Sequence, residues 1–244
     1  MVFYDQRSHG RSGRSRREHA TIDQLGVDLA AVLDQVVGDG PAVLIGHSMG
    51  GMTVMALGSH FPELFGDRII GVALIASSAG SLNAETLGLP GLPGRVLRRM
   101  TPAVVATLAR APRLVESGRR AGSDIGFVLT RKLAFGGPVP QEYIDFTDEM
   151  LAATPFEVVA DFFPGFDVDD RRETIAALAA GECTVVCGTA DAITPIEHSR
   201  AIADMLPGSR LVELEGAGHM VILERHADVT AAIAELVART GTGE

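Results

Sequence analysis

Apolar residues recur at helical spacing over residues 21–37 (TIDQLGVDLAAVLDQVV), with Thr21 or Asp23 as a start signal and Gly38 as a stop. The next apolar run, VLIG at 43–46, does not alternate with polar residues and reads as a strand buried on both faces. It runs into HSMGG, and residues 53–61 (TVMALGSHF) return to helical spacing. RIIGVALIAS at 68–77 is a second unbroken apolar strand. Residues 1–4 (MVFY) read as the remainder of a further strand, followed by a polar, glycine-dotted loop from Asp5 to Arg17.

The pattern changes after residue 80. Residues 81–170 hold most of the prolines, around short helical stretches such as RVLRRM and EYIDFTDEML, with no strand signal. The reading is a helical insertion laid over a sheet. Its Met, Phe and Leu residues would suit an apolar ceiling, although for most of them packing within the insertion is the simpler explanation. Strand patterning resumes at 184–187 (TVVC), followed by GTADAITP at 188–195 and a helix, then SRLVELEGAGHM at 209–220 and a last helix to Arg239. Unbroken apolar strands separated by amphipathic helices predict an α/β fold, a mostly parallel sheet with helices on both faces. The expected organisation is a first core part at 1–80, the insertion at 81–170 and a second core part at 171–244.

Length and composition fit one globular domain carrying an insertion: 244 residues, 46% hydrophobic. The 31 acidic and 21 basic residues give a net charge of -10, which disfavours nucleic acid or an anionic membrane surface as a partner. Arg7, Arg11, Arg14, Arg16 and Arg17 form one basic cluster, read as solvated or internally paired. The two cysteines, Cys183 and Cys187, lie in one strand. Four strand residues span about 13 Å, beyond the roughly 4.4–6.8 Å between bridged Cα atoms, so they are expected as core thiols. Charges interrupt the N-terminus where a signal peptide needs its apolar stretch, and no run approaches the roughly 18 apolar residues of a membrane span. The default expectation is a reducing, cytoplasmic setting.

The strand-to-helix junction around Ser48 raises the chemical question. Glycines at 46 and 50, two residues to either side, suit a sharp turn that strains the serine backbone and lifts its hydroxyl above the sheet edge. A serine hydroxyl needs a base to take its proton and a third group to orient that base. Asp191 and His219 each follow a strand, and in an open parallel sheet functional groups gather at those carboxyl ends. Taken singly, Asp191 is a turn or capping residue and His219 a loop histidine. Three strand ends in the order Ser, Asp, His point to nucleophilic catalysis. His47 is expected to pack beside the junction, and His19, His60, His198 and His226 to be surface or capping residues. The sequence shows no metal-ligand spacing and no nucleotide-binding glycine loop, so no cofactor or metal is inferred.

These segments together resemble the α/β-hydrolase superfamily, in its capped serine esterase and lipase-like branch. YDQRSHGRSGR (4–14) is similar to the loop after the family's fourth strand, GHSMGG (46–51) to its nucleophile elbow, GTADAITP to its acid loop and GAGHM (216–220) to its histidine loop. The resemblance implies a catalytic triad with Ser48 as nucleophile, His219 as general base and then acid, and Asp191 orienting His219. It also implies that the Met49 N–H donates to the oxyanion and that residues 81–170 form a cap domain. His9, in SHGRS, does not match the family's oxyanion-loop His-Gly.

The family carries three strands ahead of the YDQRSHG segment, with its third between the fourth and fifth; this chain starts inside the fourth. The expectation is therefore an open edge on the strand at 43–46 and a missing second oxyanion donor, costing about 100- to 1,000-fold in turnover. An N-terminally shortened form of a longer enzyme explains this; the alternative is a short protein that pairs its edge with another chain or has lost catalysis. Serine at position 48 disfavours the aspartate chemistry of haloalkane dehalogenases and epoxide hydrolases. The expected activity is hydrolysis of a hydrophobic carboxylic ester. The alternatives are carbon–carbon bond hydrolysis of a ring-cleavage product, or a non-catalytic binding protein on the same scaffold.

Overall fold

The protein is described by a computed structural model that covers residues 1–80, 131 and 133–241. Four strands form one parallel sheet in the order β1-β2-β3-β4: β1 Ala42–His47, β2 Ile69–Ile75, β3 Glu182–Gly188 and β4 Arg210–Leu214. The helix predicted at 21–37 is α1, Ile22–Val32, which continues as a π-helical turn over Leu33–Val37. It starts where the Thr21 hydroxyl accepts the Gln24 N–H and stops at Gly38, whose φ of 75° a side chain would oppose. Helix α2, Met49–His60, follows β1 directly.

Between residues 133 and 170 two helices are described, α3 Gln141–Ala153 and α4 Phe156–Val168; RVLRRM lies outside the described residues. Ile144 of α3 packs with Ala134 and Phe135 beside Met220, and Val158 and Phe162 of α4 join the main core, so these apolar residues serve packing. The backbone N–H of Arg171 donates to the Ala79 carbonyl at 2.7 Å, joining the segment after α4 to the segment after β2. The later helices are α5 Ile196–Met205, α6 Val221–Glu224 and α7 His226–Arg239.

Alternation along the strands serves two cores. Leu44, Val72, Leu74, Cys183 and Val185 face α1, α2 and α5, whereas Ile75 and Val186, on the other face, meet Val221, Val229 and Ala232 of α6 and α7. This is why the strands read as unbroken apolar runs. Helix α2 is buried nearly all round, from Gly51 to Gly58, and holds the end of β1 rigidly in place.

Residues 1–4 correct the expectation of a strand. They pair with no described neighbour, and Met1 and Phe3 are exposed. An apolar run becomes a strand only when a ladder takes its backbone groups. β1 is accordingly an edge strand, with Ile45 49% exposed. The basic loop is partly paired and partly solvated: Arg7 is shielded against Asp28, while Arg11 beside Asp5, Arg16 beside Glu18 and Arg17 beside Asp161 remain largely exposed. Cys183 and Cys187 are free, buried thiols on β3; burial pushes Cys183 up to about 11. Among the described residues, no helix is long and apolar enough to cross a membrane.

Candidate active site

Ser48 sits between β1 and α2 with φ 53° and ψ −120°, a conformation that side chains rarely adopt. Neighbouring groups hold it there. Its N–H donates to the Ile75 carbonyl at 2.9 Å, and its own carbonyl accepts the Ser77 hydroxyl at 2.9 Å. The turn needs glycine at 46, where a Cβ would lie 2.5 Å from the Gly50 carbonyl. The expected second glycine is misplaced by one residue. A Cβ at Gly50 meets open space, while one at Gly51 would lie 2.4 Å from the Ser77 hydroxyl. The helix has to pass close to the end of β2 at 51, and at 50 it faces outward.

His219 follows β4 and is buried. Its Nε2 lies 2.9 Å from Ser48 Oγ and its Nδ1 2.9 Å from Asp191 Oδ2, so the structure brings the three predicted side chains into one line. The carboxylate can only accept, which assigns the proton to Nδ1 and leaves the Nε2 lone pair facing the serine hydroxyl. Such an imidazole can draw the hydroxyl proton while the carboxylate stabilises the cation that forms.

Asp191 keeps both of its readings. Oδ1 accepts the backbone N–H groups of Ile193 and Thr194, each at 2.8 Å, as a turn aspartate does. Oδ2 accepts from His219 and from the Thr194 hydroxyl at 2.7 Å. Burial pushes the Asp191 carboxyl upward, but the hydrogen bonds from His219 and Thr194 outweigh it and hold its pKa below the ordinary carboxylate value. It is therefore a firm anion.

The histidine loop is fastened at successive backbone groups. The Gly218 N–H donates to Glu224 at 2.6 Å and the Met220 N–H to the Ala134 carbonyl at 2.8 Å. Glu224 also accepts the Gly136 N–H at 3.2 Å, tying this loop to the segment ahead of α3. Met49 opens α2, so its N–H has no carbonyl four residues back within the helix to donate to.

Sequence reasoning missed Ser77 and Glu224, whose partners Ser48 and Gly136 come from distant segments, and Thr194, which bonds Asp191 within its own loop. His47 packs beside the elbow as expected, its ring 5.0 Å from that of His219, and adds a directed contact with the His219 carbonyl at 2.9 Å. His198 corrects its expectation: it is half-buried against the Ser78 hydroxyl, 2.6 Å away beyond the end of β2. Burial lowers the pKa of both rings, that of His47 to about 4, with the neighbouring His219 contributing.

The sequence model of the alpha/beta hydrolase family matches residues 2–233. Rhodomycin D methylesterase DauP of Streptomyces sp. (strain C5) is 30% identical, over 96% of this chain and 79% of its own length. Epoxide hydrolase A of Mycobacterium tuberculosis is 29% identical, over 96% of this chain and 80% of its own. A thermophilic esterase from Thermogutta terrifontis superposes with a TM-score of 0.69 at 25% identity, over 98% of this chain and 79% of that one. With the family matched across almost the whole chain and the serine, histidine and aspartate aligned at the carboxyl ends of the strands, the protein belongs to the alpha/beta hydrolase family.

Proposed function

We propose that this chain hydrolyses a carboxylic ester through an acyl-enzyme on Ser48. The observation that carries the reading is the imidazole of His219, hydrogen-bonded at 2.9 Å on both sides, to Ser48 and to Asp191. His219 takes the Ser48 proton as Oγ attacks the ester carbonyl, and the Met49 N–H donates to the oxyanion. His219 then protonates the departing alcohol, and water activated by the same ring releases the acid.

The nucleophile's identity separates this reading from epoxide opening, the activity named for the mycobacterial relative. An alkoxide that opens an epoxide leaves an ether on the serine, which water does not cleave; a carboxylate nucleophile leaves an ester, which it does. At position 48 a hydroxyl therefore turns over with acyl groups. The methylesterase and esterase relatives support the same class.

A panel of p-nitrophenyl esters of graded chain length tests this, alongside a vinylogous diketone and a styrene oxide. Ester turnover that rises with acyl length, and vanishes in Ser48→Ala, is expected. Turnover of the diketone or the epoxide with inert esters would overturn it.

A further inference from the structure

His47 is the last residue of β1, immediately before Ser48, and its ring reaches across to the opposite loop. Nε2 lies 2.9 Å from the carbonyl oxygen of His219, and the two ring centroids are 5.0 Å apart. A carbonyl only accepts, so Nε2 carries the proton and donates. The other fastenings of this loop come from elsewhere: Glu224 holds Gly218, and Ala134 holds Met220. Among the described residues, His47 is the side chain that joins the elbow to the backbone of His219, whereas Ser48 meets only its ring.

We propose that His47 is a positioning residue: its Nε2–H fixes the backbone of His219 against the elbow, so that the His219 ring stays within hydrogen-bond reach of Ser48. The proposal rests on the reading of Ser48 and His219 given above. Its consequence is kinetic. A displacement of about 1 Å at a reacting pair costs about a hundredfold in rate, and without its donor the His219 peptide can rotate or shift on that scale between its fastened neighbours.

The test compares His47→Leu, which fills the space without a donor, with His47→Gln, whose amide nitrogen reaches the same place. His47→Leu is expected to lower kcat on the best ester about 10- to 100-fold with KM within about twofold, and His47→Gln to recover most of the loss. If His47→Leu does not fold, His47→Asn, polar but too short to reach the carbonyl, takes its place. A second readout needs no turnover: the proton NMR signal of His219 Nδ1–H, held by Asp191. It is expected to be sharp in the parent and in His47→Gln, and broadened by exchange in the donor-less variant. A donor-less variant with parental kcat and a sharp signal overturns the proposal. Should the parent cleave no ester while the signal still depends on the donor at 47, the positioning role stands and the hydrolase reading is what fails.

Discussion

The Thr194 hydroxyl donates at 2.7 Å to Oδ2 of Asp191, the same oxygen that accepts the proton of His219 Nδ1. Thr194 is 1% exposed, so no water replaces its hydroxyl there. Hydrogen bonds to charged groups contribute about 1.5–3 kcal/mol, and Thr194→Val removes one while keeping the shape. The expected result is about a tenfold or greater loss of kcat, restored by Thr194→Ser; steady-state kinetics on one ester measures both.

Removing the charge itself should cost more. In Asp191→Asn the side chain no longer accepts at both oxygens, and the histidine tautomer that presents its lone pair to Ser48 is no longer favoured. A fall in kcat on the order of a thousandfold or more is expected, with circular dichroism unchanged.

The elbow glycines should separate cleanly. Gly46→Ala and Gly51→Ala drive a methyl group into the Gly50 backbone and the Ser77 side chain respectively, and should lower the yield of folded protein or the melting temperature sharply. Gly50→Ala meets open space and should fold as the parent does. Thermal melts of the three variants decide this.

Acid should weaken the fold partly through His47. Its folded pKa of about 4 lies below the ordinary 6.5, so the unfolded chain takes up the proton first. Stability from this group is complete above about pH 6.5 and is lost as the pH falls from there towards 4. Asp191, lowered from its ordinary 3.8, adds a loss of the same sign further down. Urea unfolding midpoints at about pH 7 and about pH 4.5 should fall further in the parent than in His47→Gln, because the glutamine does not titrate.

What could be read from the chain was what local rules decide. Thr21 and Gly38 bound their helix for reasons contained within a few residues, and the apolar runs at 68–77 and 184–187 are the buried parallel strands their patterning predicts, whereas the run at 43–46 is a parallel strand at the sheet edge. Ser48, Asp191 and His219 were legible because each lies in the turn or loop that follows a strand, after His47, Gly188 and Leu214 respectively. The supporting side chains were not, since Ser77, Glu224 and the contact of His47 with His219 have meaning only once distant segments meet. The misreadings share that cause. Residues 1–4 have strand-like composition but no ladder partner, and the need for glycine at 51 instead of 50 depends on where β2 ends.

The central claim is that the Ser48 hydroxyl is an activated nucleophile, and covalent labelling reads it most directly. Folded protein is treated with a fluorophosphonate, and the adduct is located by peptide mass spectrometry. A single stoichiometric adduct on Ser48, abolished by His219→Ala, is expected. A folded chain that stays unmodified, or one modified at another residue, contradicts it.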